Sequence, residues 1–194
     1  MTDAPHPPSR PVDLTAGDPL AALYRWTADA KVDDAARARA RQHWLEQQAA
    51  ADATLLGGLI DLAERGRPVT VTTDSSHRIS GSVVAVGADF AVLRDGQLGD
   101  TFVPADRIAG VRPGPGDALP TGDRPVGITL ALGAALMELA AERPDVLVAT
   151  AGDDLRGEIR SVGADVVTMV LDNPGRDRVH VRLGAIVHLT VLRR

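Results

Sequence analysis

Arg78 to Gly96 reads RISGSVVAVGADFAVLRDG, and Leu155 to Asn173 reads LRGEIRSVGADVVTMVLDN. Gly81 pairs with Gly157, and Val86-Gly87-Ala88-Asp89 recurs unchanged as Val162-Gly163-Ala164-Asp165. The likeness extends upstream at a constant offset of 77, where Thr54 to Gly66 and the following Val69-Thr-Val lie over Ala131 to Arg143 and Val146-Leu-Val. Each copy therefore reads as a helix followed by strands. Leu55, Leu59 and Leu62 fall at i, i+4 and i+7, as do Leu132, Leu136 and Leu139, giving each helix one apolar stripe. Gly66 and the Arg143-Pro144 step supply the stops. The offset moves to 76 at the first turn and to 78 after the third strand. Length changes at turns and not inside strands are what a β meander tolerates. Thr101 to Val111 and Val179 to Leu189 read as a fourth strand, a short turn and a fifth.

The repeated Val-Gly-Ala-Asp is expected to be a tight turn. Gly87 and Gly163 would supply positive φ, and Asp89 and Asp165 would bond nearby backbone N–H groups. The other reading of the two aspartates is a loop that faces a partner or ligand. Gly81 and Gly157 sit in mid-strand and read as structural.

The chain has 194 residues, of which 44% are hydrophobic, so it can bury a core in one or two small domains. It has no cysteine, which excludes disulfides, thiolate metal sites and cysteine nucleophiles and suits a reducing cytoplasm. Residues 1–18 are polar and proline-rich without an apolar h-region, and read as a flexible tail and not a secretory signal. Val126 to Met137, the longest mostly apolar stretch, is too short for a membrane span. A soluble cytoplasmic protein without a membrane partner is the expectation.

Net charge is −5, and basic and acidic residues number 7 and 10 up to Gly66, 6 and 7 from Arg67 to Arg124, and 8 and 9 from Pro125 onward. No segment is a basic module of the kind that neutralises phosphates. Lys31 is the only lysine, a bias attributed to genome composition. Residues 113–125, dense in Pro and Gly, read as a linker. They lack the Gly-Lys-Ser/Thr of a phosphate loop. Residues 19–53 read as a helical segment starting from Asp33 or Asp34, with Trp26 and Trp44 either anchoring it on the β domains or forming a docking surface.

One helix, five short bent strands and a glycine in the middle of the second strand resemble the Sm/LSm superfamily that includes Hfq. Gly81, Val83, Val86 and Phe90 match the first Sm motif's glycine and apolar positions, as do Gly157, Ile159, Val162 and Val166. Gly87 and Gly163 stand where that motif has aspartate, and Ala91 and Val167 where it has the RNA-contacting asparagine. Related SH3-like barrels satisfy the same pattern. The resemblance covers roughly two thirds of the chain, from Thr54 onward. It implies an α+β protein with two tandem helix-plus-five-stranded bent antiparallel small barrels, residues 54–112 and 126–194. Sm-like units pair strand four of one with strand five of the next, and a tandem copy makes that contact within one chain or extends it between chains.

Chemistry-bearing candidates are few. Asp74-Ser75-Ser76-His77 holds the residue types of a hydrolytic site, but neighbours on one turn cannot arrange nucleophile, base and orienting acid. His180 and His188 lack the carboxylates or thiols that would complete a metal shell. Arg156, Arg160, Arg176 and Arg178 are the candidates for RNA binding, interleaved with Asp153, Asp154, Glu158, Asp172 and Asp177 as a mixed-charge face would be. Two Phe and one Tyr leave few stacking platforms. The expectation is therefore no catalytic residue, no cofactor and no metal. A protein partner or self-association through barrel edges leads, and RNA binding is the alternative.

Overall fold

The computed structural model describes residues 19–117, 122, 124 and 127–193. The expected tail lies outside them, as does part of the linker. The chain divides after Gln48. The first unit is described by α1 (Pro19–Ala51), which starts well before the expected Asp33 or Asp34 cap. Trp44 is 60% exposed, while the side chain of Trp26 lies outside the described set.

The second unit holds both repeats. α2 (Leu55–Arg65) starts at Thr54, whose hydroxyl accepts from the Gly57 N–H at 3.0 Å. It stops at Gly66, which turns left-handed at φ 61° and returns its N–H to the Ala63 carbonyl. Leu59 and Leu62 are buried as the stripe requires, whereas Leu55 is exposed. Five strands follow: β1 (Pro68–Thr73), β2 (Arg78–Val86), β3 (Phe90–Asp95), β4 (Gly99–Pro104) and β5 (Ile108–Pro113). The second repeat gives α3 (Leu132–Ala140), β6 (Asp145–Thr150), β7 (Asp154–Val162), β8 (Val166–Leu171), β9 (Arg178–Arg182) and β10 (Ile186–Leu192). A short 3₁₀ turn joins the fourth strand to the fifth in both, at Ala105–Arg107 and Leu183–Ala185.

The irregularities repeat too. The ladder slips between Val83 and Ala85 in β2 and between Ile159 and Ser161 in β7. It slips again where β1 meets β5 and where β6 meets β10. Paired bulges at equivalent positions bend equivalent strands. Gly81 and Gly157 serve close approach: a Cβ on Gly81 would lie 2.6 Å from the Arg94 carbonyl oxygen, and one on Gly157 would meet that of Val170.

The expectation of two separate barrels is overturned. All ten strands form one antiparallel sheet in the order β5-β1-β2-β3-β4-β10-β6-β7-β8-β9. Each fifth strand pairs with the first of its own repeat, and the outer edge of β4 is taken by β10 of the other repeat. The exposed N–H and C=O groups of β4 are thus satisfied across the repeat boundary and not by closure within the repeat. The core follows suit. One cluster is built on Leu59, Leu62, Val71, Leu93 and Val103 of the first repeat. The other, built on Leu136, Val148, Ile159, Met169 and Leu189 of the second, also takes Phe90 and Val92 from β3 of the first.

Candidate functional site

The β4·β10 junction is the most elaborated feature of the sheet. Leu189 faces Phe102, Thr190 faces Thr101, Val191 faces Asp100 and Leu192 faces Gly99. The hydroxyls of Thr101 and Thr190 bond each other at 2.9 Å while buried, so each satisfies the other where water is excluded. Phe90 and Phe102 stack at 5.8 Å beside them. Arg107 ties the two 3₁₀ turns to the seam, donating to the Gly184 carbonyl and to the Asp74 carboxylate. That carboxylate lies below its usual range because Arg107, and then Ser75, donate to it. At the other end Arg193 donates to the Gly96 carbonyl at 3.1 Å.

The first Val-Gly-Ala-Asp turn works in this seam. α3 begins at Ala131, which has no side-chain cap, whereas α2 begins at the equivalent Thr54 and caps itself. Asp89 of the first repeat supplies the missing acceptor, taking the Leu132 N–H at 2.7 Å, and the Ala88 N–H donates to the Leu130 carbonyl at 2.9 Å. A carboxylate at a helix N-terminus also meets the positive end of the helix dipole. Gly87 is buried, and a Cβ there would lie 2.7 Å from the Leu130 oxygen and against the Phe90 ring. The expectation of positive φ at Gly87 and Gly163 is corrected: neither is left-handed, and Gly87 is required by close approach. Asp165 and Ala164 are exposed, and the Asp165 carboxylate has no partner among the described residues. The Ala131 in place of Thr54 was the sequence signal for a cap supplied from elsewhere.

The remaining candidates disperse. His77 packs its ring edge against His188 with centroids 5.1 Å apart, and the Nδ1 atoms of both are buried without a partner. Burial pushes the His188 imidazole down, helped by the proximity of His77 and opposed by Asp154. Asp74, Ser75 and His77 form no nucleophile relay: Ser75 donates to Asp74, which Arg107 already holds. His180 meets the Thr168 hydroxyl on the far side of the sheet from β10. No metal-binding group occurs among the described residues, and no described helix is long and apolar enough to cross a membrane. Arg156 pairs with Asp172 at 3.7 Å, Arg160 with Glu158 at 3.1 Å and Arg176 with Glu158 at 4.0 Å. Arg178 stands exposed on β9 with no pair among the described residues.

Two edges of the sheet remain open, β5 at one end and β9 at the other. β9 is the counterpart of β4 and β5 the counterpart of β10, so the open edges are the two strand types that join at the seam. Compared with protein-family models and with curated proteins, the chain matches none.

Proposed function

We propose that the protein is a non-enzymatic interaction module that self-associates head to tail, β9 of one copy against β5 of the next. One observation carries this reading: the chain already contains a fourth-strand to fifth-strand junction, and its open edges are the same two strands. The resemblance to Sm-like units points the same way. Applying the internal register to the open edges sets Val179 opposite Arg112 and His180 opposite Val111, as Thr101 faces Thr190 and Phe102 faces Leu189. Pro113 and Arg112 on β5, with Arg178 and Arg182 on β9, guard these edges against indiscriminate strand addition and leave matched pairing as the permitted one.

Because the chain has no cysteine, the register is open to a direct test. Arg112→Cys and Val179→Cys chains, mixed under mild oxidation, should form a disulfide-linked dimer that neither forms alone, since directly opposed strand positions meet disulfide geometry. Light scattering of the unmodified chain should show mass rising across the micromolar range. A monomer throughout, with no crosslink in the mixture, would retire the proposal.

A second reading, a regulator that binds single-stranded RNA, is favoured by Arg178 and Arg182, both exposed on β9 without an ion pair among the described residues. It predicts a salt-dependent mobility shift of single-stranded RNA that weakens when both are neutralised.

A further inference from the structure

At one end of the sheet, β1 lies between β5 and β2, and the register sets out two rows. Arg112, Thr70 and Ser80 form one, and Gly110, Thr72 and Arg78 form the next. Opposed residues share a face, as do residues two apart on a strand, so all six lie on the face away from buried Val69, Val71 and Thr73. With strands about 4.8 Å apart and alternate residues about 7 Å apart, Arg78 and Arg112 occupy diagonal corners of a patch about 10 by 7 Å. Long arginine side chains can meet over such a patch. Its floor is hydroxyl, with Thr70 Oγ1 and Ser80 Oγ bonded at 3.1 Å, and Gly110 leaves one corner without a side chain. Together with Val111 these residues line a recess of about 410 Å³.

Charge separates this recess from the rest of its repeat. Arg67, Arg94, Arg107 and Arg124 each lie on a carboxylate, yet Arg78 and Arg112 have no ion pair among the described residues, and no carboxylate lines the recess. The fold does not require the arrangement. The second repeat sets Thr190, Leu147 and Arg156 in the first row and His188, Ala149 and Asp154 in the second. Both central threonines have become apolar there, and the corner arginine Arg78 has become an aspartate.

We infer that the β5-β1-β2 face is a binding site for the phosphoryl group of a small phosphorylated ligand. Two guanidinium groups approaching from opposite corners over a hydroxyl floor suit a tetrahedral phosphoryl group, whose three terminal oxygens can face both arginines and still leave an acceptor for the hydroxyls, better than a planar carboxylate with two oxygens. The Thr72 hydroxyl, and whichever of Thr70 and Ser80 accepts in their mutual bond, donate to the remaining oxygens. A polynucleotide needs a longer basic track and stacking aromatics, and this recess is lined by two arginines and no aromatic side chain. The inference does not rest on self-association.

The test titrates inorganic phosphate, and separately a phosphomonoester, into isotope-labelled full-length chain while following the amide signals of Thr70, Thr72, Ser80 and Gly110. Saturable shifts at millimolar phosphate are expected, with none from sodium chloride at matched ionic strength. Arg78→Ala and Arg112→Ala should each weaken binding about tenfold, the loss of a charge-assisted hydrogen bond, and Arg156→Ala should leave it unchanged. Both test residues are exposed, so the variants keep the fold. Absence of shifts, equal shifts with chloride, or unchanged binding in both arginine variants would overturn the site. Binding of a single-stranded oligonucleotide where neither phosphate probe binds would replace it with a polynucleotide track.

Discussion

The two copies of Val-Gly-Ala-Asp are identical in sequence and differ in what they do. Asp89 caps a helix of the other repeat and Gly87 is buried beneath that contact, while Asp165 stands in solvent and Gly163 has open space around it apart from Val166. A repeated motif therefore specifies its own backbone and leaves its task to whatever lies beside it. The first copy lies at the seam, where Asp89 caps the α3 that lacks the threonine with which α2 caps itself. The difference between the repeats is thus more informative than their likeness, and it can be broken one equivalent pair at a time.

The largest effects belong to the cores. Leu59 and Leu136 are equivalent and fully buried, so Leu59→Ala and Leu136→Ala should each cost about 2–5 kcal/mol in urea unfolding. They differ in reach. Leu136 shares a cluster with Phe90 and Val92 of the first repeat, so Leu136→Ala should also lower hydrogen-exchange protection along β3. Protection of β3 left intact in that variant would mean that the two cores are separable after all.

At the turns the equivalents should diverge. Gly87→Ala drives a methyl group into the Phe90 ring and the Leu130 carbonyl, an overpacking that costs about 1–3 kcal/mol. Gly163→Ala meets the Val166 side chain at 3.2 Å and the Val166 carbonyl oxygen at 3.7 Å, with no backbone closer, and should cost clearly less than Gly87→Ala. Asp89→Ala removes the cap of α3 and should cost about 0.5–2 kcal/mol, against no measurable change for Asp165→Ala. Equal costs within either pair, measured by chemical denaturation, would erase the distinction between docked and free turns.

The repeat, its helices and the strand boundaries were legible because they rest on local patterns: the leucine spacing, the Gly66 stop, and length changes confined to turns. Strand closure was not, since the backbone groups of β4 are satisfied equally well by a strand within the repeat or outside it, and no side chain records the choice. The roles of Thr101 and Thr190, 89 residues apart, depend on that choice and were equally hidden. The Arg78 and Arg112 face was missed for a related reason. Its members come from three strands, and only the β5-β1-β2 register brings them together. The four arginines that sequence reading did single out were grouped by proximity along the chain, where carboxylates are interleaved as well, and three of the four are accordingly paired.

The smallest effect compares the seam with the open edge through pH. His188 lies on the seam strand β10, and its counterpart on the edge strand β5 is Gly110, which cannot titrate. Burial and the neighbouring His77 hold the His188 imidazole below its ordinary value of 6.5, so the folded protein favours the neutral ring and the unfolded chain binds the proton more readily. The contribution is therefore fully present above about pH 6.5 and is lost as pH falls through that value toward the folded one. The ring is part-exposed, so solvent screening should keep the slope well below the limit of about 1.4 kcal/mol per pH unit for one proton. Urea midpoints measured from pH 8 to pH 5 should decline in the wild type and decline less in His188→Gln. Acid sensitivity unchanged by that substitution would assign it to other groups and leave the seam no more pH-dependent than the edge it resembles.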